Sequence, residues 1–271
     1  MDQRPIGVFD TGLGGLTAVR ELRRIMPGED IIYFGDTGRV PYGGRGRETI
    51  ERYAGECLKF LEKKEVKLIV VACGTVSSVL GEDIGRGLSV PCVGVLAPAS
   101  KAACAASKSG NIGVIATAAT VSSGSYARSI GALRPEARVY AKACPLFVPL
   151  VENGCTAEDD PVTTLVAKGY FESFEGTGID TLILGCTHYP LIAGLIDRVT
   201  GGRLALIDSG REAAKAAREL LEREGMASRT KKIGGMEFFV TDTVEGFSEI
   251  GERFLGEELR GARKVSLDEL A

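Results

Sequence analysis

The sequence predicts an α/β protein of two similar domains, with mostly parallel sheets related by a pseudo-twofold and the functional site in the cleft between them. Three observations carry this expectation. Short β-branched and apolar runs alternate with longer amphipathic stretches, the pattern of buried parallel strands covered by helices. The 271 residues exceed a typical domain and suit two units of roughly 130 residues each. The chain also repeats itself weakly. Ile6-Gly7-Val8-Phe9-Asp10-Thr11 returns as Ile112-Gly113-Val114-Ile115-Ala116-Thr117, and the run from Lys67 to Cys73 matches Thr181 to Cys186 when the cysteines are aligned. Two equivalent strand ends imply duplicated half-units facing each other, each with a cysteine just past a buried strand.

In chain order, strands are expected at Ile6 to Phe9, Ile31 to Phe34, Leu68 to Ala72, Ile112 to Ile115, Val139 to Ala141 and Leu182 to Leu184. Helices are expected at Leu16 to Ile25, Glu48 to Lys64, Ser123 to Leu133 and Glu212 to Glu224, where apolar residues recur at three and four positions. Pro98 interrupts the pattern after a short strand and marks one boundary; Leu206 to Ser209 marks another. Residues 1–97 with 207–271 then form a discontinuous first domain, and residues 98–206 form the second. The tail contributes a strand through Phe238-Phe239-Val240-Thr241 and a helix from Phe247 to Leu255.

Composition narrows the function. Hydrophobic residues at 44% and charged residues at 25% describe an ordinary folded chain, not a disordered one. Lys and Arg number 33 against 36 Asp and Glu, and with no basic run this argues against nucleic acid as a partner. No apolar stretch has the length of a membrane span, and Met1-Asp2-Gln3-Arg4-Pro5 does not start a signal peptide, so a cytoplasmic protein is expected. The seven cysteines, at 57, 73, 92, 104, 144, 155 and 186, form no C-x-x-C pair; reduced thiols are expected.

Ligands of open parallel sheets bind beyond the carboxyl ends of strands, so the residues following each run are candidates. These are Asp10-Thr11-Gly12, Gly35-Asp36-Thr37, Cys73-Gly74-Thr75, Thr117 with Thr120, and Cys186-Thr187-His188. Hydroxyls and free backbone N–H groups at helix starts suit a carboxylate or phosphate. Gly12-Leu13-Gly14-Gly15 falls short of a dinucleotide fingerprint because Thr17 replaces its third glycine, and no P-loop ending follows. Cys73 and Cys186 occupy a setting in which a helix N-terminus lowers a thiol pKa from ~8.5 toward neutrality. The remaining cysteines read as small buried hydrophobes. His188 is the only histidine; a hydrolase triad would have to pair it with Cys186 two residues away, and a Cys-Cys-His zinc site lacks a fourth ligand at motif spacing. A better reading has His188 polarising one thiol while Asp10 or Asp36 does the same for the other. Two thiols flanking one carbon make a two-base proton-transfer site.

Several segments together strongly resemble the glutamate racemase family: Gly7-Val-Phe-Asp10-Thr-Gly-Leu-Gly-Gly-Leu-Thr17, Tyr33-Phe-Gly-Asp36-Thr, Val40-Pro-Tyr42-Gly43, Gly113-Val-Ile-Ala-Thr117, Cys144-Pro-Leu-Phe-Val-Pro-Leu-Val-Glu152 and Leu184-Gly-Cys186-Thr-His188-Tyr-Pro-Leu. The resemblance runs from about residue 6 to 255. It implies a cofactor-independent isomerase interconverting L- and D-glutamate, with Cys73 and Cys186 exchanging acid and base roles and no metal. By the same motifs Asp10, Thr11 and the Tyr42-Gly43 turn line the substrate site on one side. Thr75, Thr187 and His188 continue it around the thiols, Thr117 and Thr120 contact a carboxylate, and Asp36 and Glu152 tune protonation nearby. It further implies a homodimer and D-glutamate made for peptidoglycan, hence cell-wall biogenesis and cell shape.

Two positions depart from the family pattern. Thr11 replaces a common Ser and keeps the hydroxyl; Gly74 replaces the usual Asn, which helps hold the substrate's amino group. A missing hydrogen bond to a charged substrate costs ~1.5 to 3 kcal/mol. Gly74 therefore keeps two alternatives open: a related racemase, decarboxylase or isomerase acting on another substrate such as aspartate, and a non-catalytic ligand-binding relative.

Overall fold

The computed structural model describes residues 2–230 and 232–270. The chain opens with β1 (Ile6–Asp10), α1 (Leu16–Ile25), β2 (Ile31–Gly35), α2 (Arg47–Lys63), β3 (Leu68–Val71), α3 (Gly74–Leu80) and β4 (Cys92–Gly94). It continues through α4 (Leu96–Ala106), β5 (Asn111–Ala116), α5 (Ala118–Ser123), α6 (Ser125–Leu133), β6 (Arg138–Ala143), α7 (Phe147–Glu152), α8 (Pro161–Phe171), β7 (Thr181–Leu184), α9 (Ala193–Val199) and β8 (Ala205–Asp208). It closes with α10 (Ser209–Arg223), β9 (Met236–Val240), α11 (Val244–Leu255) and β10 (Arg263–Lys264).

The first sheet runs β10-β9-β2-β1-β3-β4 and the second β6-β5-β7-β8. Every strand pairing among the described residues is parallel. Within them β2-β1-β3-β4 and β6-β5-β7-β8 have the same order, so the weak repeat is a repeat of topology. The register agrees: Ile6 pairs with Leu68 as Ile112 pairs with Thr181, which are the residues aligned by the sequence repeat. Central strands β1, β2, β3 and β7 are buried at every position, which is why they read as continuous apolar runs. The helices bury one face. In α2 that face is Ile50, Ala54, Cys57, Leu58 and Leu61.

The helix expected at Ser123 to Leu133 starts at Ser125, because Gly124 takes a left-handed φ of +64° and ends a separate helix, α5. Pro98 does not break the chain but sits in the first turn of α4, where a missing N–H costs nothing. The seam placed at 206/207 falls inside β8, whose residues pair with β7 through Asp208. The chain leaves the second sheet only there, since the Asp208 carboxylate accepts from Gly210 and Arg211 N–H at 2.9 and 3.1 Å and so starts α10. Helix α10 then packs against α1 of the first half and α4.

Candidate active site

The two cysteines are presented in the same way. Beyond β3 the Ala72 N–H donates to Phe9 O at 2.8 Å, and beyond β7 the Gly185 N–H donates to Ile115 O at 2.8 Å. Each bond extends the ladder by one residue, and the next residue in each case is the cysteine. The loops after β3 and β7 touch, a Cβ on Gly74 falling 2.3 Å from Gly185 O, and Thr75 Oγ1 lies 3.0 Å from Thr117 Oγ1 at the end of β5.

On the first side Cys73 is buried at the N-cap of α3, with Thr11 Oγ1 3.5 Å from its Sγ. Asp10 ends β1 beside it, fully enclosed. Its Oδ2 accepts from Gly12 N–H at 3.0 Å, and its Oδ1 has no partner among the described residues. Burial raises the Asp10 carboxyl above its ordinary value, against the opposing pull of His188 and of the Gly12, Gly15 and Thr11 N–H groups. Burial, then the charge of Asp10, pushes the Cys73 thiol up to about 12, while Thr11 and the Val76 N–H act the other way. The expected lowering by a helix N-terminus is overturned here. Helix α3 has only 7 residues, and its terminal field is outweighed by desolvation and the neighbouring carboxylate.

On the second side Cys186 precedes a 3-10 turn at Tyr189–Ile192 rather than an α-helix. Its closeness in sequence to His188 does not keep the two apart, since Cys186 Sγ lies 3.8 Å from His188 Nδ1. The other ring nitrogen, Nε2, lies 2.9 Å from Glu152 Oε1 at the end of α7. The imidazole also meets the Phe254 ring edge-on at 5.0 Å. Burial alone would depress His188, but its hydrogen bonds to Cys186 and Glu152 outweigh burial and raise it to about 10. At neutral pH it is a cation between a thiol and a carboxylate.

The hydroxyls expected at the site cluster there. Thr187 Oγ1 is 3.3 Å from His188 Nδ1, and Thr117 Oγ1 donates to Thr120 Oγ1 at 3.0 Å. Gly43 approaches Thr117 across the cleft: a Cβ on Gly43 would lie 3.9 Å from that of Thr117. The Tyr42 phenol is engaged away from the thiols, because its buried hydroxyl donates to Asp36. Asp36, expected to tune protonation, has other partners. Its carboxylate pairs with Arg39 at 2.7 Å and accepts from Thr241 at 2.9 Å as well as from Tyr42, so it fixes the Tyr42 turn and neighbours Cys57 rather than Cys73 or Cys186. Among the described residues no group of three or more His, Cys, Asp or Glu is arranged to hold a metal ion.

Two residues were missed. Thr17 Oγ1, on α1, lies 2.9 Å from both Gly14 O and Thr187 O, linking the first half to the Cys186 loop. In the sequence it stands as the residue in place of a third glycine and as the end of the Gly7 to Thr17 segment, with no role of its own. Tyr126 is buried with its hydroxyl unpartnered, and its ring lies close to Gly185. Nothing in the sequence separates it from a core tyrosine. Chemically, the arrangement offers two thiols in unlike surroundings, one beside a carboxyl group and one beside an imidazole, with threonine hydroxyls around them.

The chain is similar to known proteins over nearly its whole length. The model of the Asp/Glu/hydantoin racemase family matches residues 15–217. The glutamate racemase of Geobacter metallireducens is 44% identical over 268 residues, covering 99% of this chain and 98% of that one. Among solved structures, glutamate racemase from Francisella tularensis in complex with D-glutamate superposes with a TM-score of 0.91 at 40% identity, covering 99% of both chains. Glutamate racemase from Thermus thermophilus in complex with β-chloro-D-alanine gives 0.89 at 45% identity, covering 99% of this chain and 100% of that one.

Proposed function

The chain belongs to the Asp/Glu/hydantoin racemase family and is an amino-acid isomerase; from that premise we propose that it interconverts L- and D-glutamate by proton transfer between Cys73 and Cys186. The observation that carries the reading is the placement of the two thiols at equivalent ends of equivalent strands, β3 and β7, whose following loops approach at Gly74 and Gly185.

In one direction the Cys186 thiolate takes the α-proton from one face of the substrate. The electron pair stays on the α-carbon and is delocalised into its carboxylate, and the Cys73 thiol gives its proton to the opposite face. The reverse direction exchanges the roles. The resting surroundings suit this start: Cys73 is neutral, and a cation lies 3.8 Å from Cys186. Glu152 holds that imidazolium in place, and Asp10, with one oxygen unpartnered, serves the Cys73 side. Hydroxyls of Thr11, Thr75, Thr117, Thr120 and Thr187, with free N–H groups near Gly43 and Gly74, hold the substrate's carboxylates. Preorganised donors of this kind stabilise the developing charge without an added electron sink. A weak thiolate base also needs the two domains to close and exclude water.

The biological setting proposed with it is cytoplasmic supply of D-glutamate for peptidoglycan by a homodimer. No helix among the described residues is long and apolar enough to cross a membrane. The test is a pair of variants, Cys73→Ser and Cys186→Ser, assayed side by side on glutamate and aspartate. Loss of glutamate racemisation in both supports the assignment. Substantial turnover in both would remove it, and faster turnover of aspartate by the parent enzyme would move the substrate.

A further inference from the structure

The turn that carries Cys186 has a gap in its backbone bonding. Tyr189 N–H donates to Cys186 O at 3.1 Å and Leu191 N–H donates to His188 O at 3.2 Å, each from three residues further on. Between them the same pattern would pair Thr187 O with Pro190, which has no N–H to give. The donor comes instead from the other half of the molecule. Thr17, the second residue of α1, places its Oγ1 2.9 Å from Thr187 O in a buried contact.

That hydroxyl also lies 2.9 Å from Gly14 O, but this carbonyl already accepts the Thr17 N–H at 3.1 Å. Losing the hydroxyl therefore strands Thr187 O alone. The start of α1 is pressed against both sides of the site: a Cβ on Gly14 would run into Thr187 Oγ1 and lie 2.6 Å from His188 Nδ1, and one on Gly15 would lie 2.5 Å from the Cβ of Asp10. A buried carbonyl left without a donor is costly, and the turn relieves that cost by moving toward water. The residues that would move with it are Cys186 and His188, whose Sγ and Nδ1 are 3.8 Å apart.

We propose that Thr17 is a positioning residue for the second thiol: by donating to Thr187 O it fixes the Cys186–His188 turn against the first half, and so sets where the Cys186 sulfur stands relative to Cys73. This rests on the two-thiol reading above. Both sulfur atoms must reach one carbon from opposite faces, and a misplacement of about 1 Å costs on the order of a hundredfold in rate. Thr17 acts through the turn and touches no reacting atom.

The experiment compares the full-length parent with Thr17→Val, which keeps the side-chain shape and loses the donor, and Thr17→Ser, which keeps the donor. It measures the thermal midpoint, then kcat and KM from each enantiomer of glutamate well below the lowest midpoint, and the deuterium isotope effect on kcat/KM with α-deuterated L- and D-glutamate. Thr17→Val should melt earlier than the parent, lower kcat about tenfold or more and change KM by less than about threefold. Its isotope effect should rise for the enantiomer whose proton Cys186 removes and not for the other. Thr17→Ser should keep kcat within about threefold of the parent. A valine variant with a lowered midpoint and parental kcat would make the hydroxyl merely structural and overturn the proposal. So would a serine variant as slow as the valine one, a loss confined to KM, or an isotope effect changed alike for both enantiomers or for neither. If the parent itself exchanges no α-proton of glutamate in D2O, the two-thiol reading fails and takes the positioning role with it. Exchange by the parent and undiminished turnover by Thr17→Val remove the positioning role alone.

Discussion

At the scale of single residues, the site concentrates groups whose proton affinity rises on folding. A raised group stabilises the fold fully below its unfolded pKa, and that contribution is lost as pH climbs through the folded value. For His188 the window runs from 6.5 to about 10, and for Cys73 from 9.0 to about 12. The thermal midpoint is therefore expected to fall steadily between pH 7 and 10. His188→Asn should flatten the first part of that decline, and a melting series across buffers checks both. Asp10 is the contrasting case: its carboxyl is raised by burial, so the stability tied to its proton is lost as pH rises above 3.8, and at neutral pH the site carries that cost. Asp10→Asn should melt at or above the parent while turnover falls by roughly a hundredfold or more, the range of a lost acid–base group. A variant that melts earlier would show that the carboxylate is needed for the fold. The raised Cys73 thiol also predicts slow alkylation: mass spectrometry after brief iodoacetamide treatment at pH 7.5 should find Cys73 less modified than an unfolded-chain control.

At the scale of elements, the sheet end opposite the thiols is held by a buried ion pair. Lys67, just before β3, lies 2.5 Å from Glu29 and donates to Asp2 O and Met226 O at 3.1 and 2.9 Å. It gathers the N-terminal segment, the entry to β2 and the exit from α10 at one point. Lys67→Met strands the Glu29 charge and should cost ~3 to 5 kcal/mol in urea unfolding, with kcat of the folded fraction unchanged. A cost near zero would mean that Glu29 finds another partner. Strands β1, β2, β3 and β7 were legible from their buried apolar runs, and β6, exposed or half covered throughout, from the apolar run at Val139 to Ala141. Edge strands β4 and β8 are short and half covered, and their residues carry no such signature. The cysteines at 73 and 186 could be found because strand ends can be read locally. The work of Asp36 could not, since its partner Thr241 arrives from a strand 205 residues away, and neither could the bridge from Thr17 to Thr187, 170 residues apart.

At the scale of the whole molecule, two halves with the same β-strand order place one thiol each at a shared seam. The duplication provides symmetry of position, and the surroundings break symmetry of charge, with a carboxyl on one side and an imidazolium on the other. The proposed chemistry follows from this asymmetry: a proton is taken from one face of a carbon and another returned to the opposite face. The most direct test is proton NMR of the purified protein with L-glutamate in D2O, following the α-proton signal, with circular dichroism on the same sample. Loss of the α-proton together with decay of the optical signal to zero, from either enantiomer, is the expected result. A folded protein that leaves the α-proton of both enantiomers in place would contradict it.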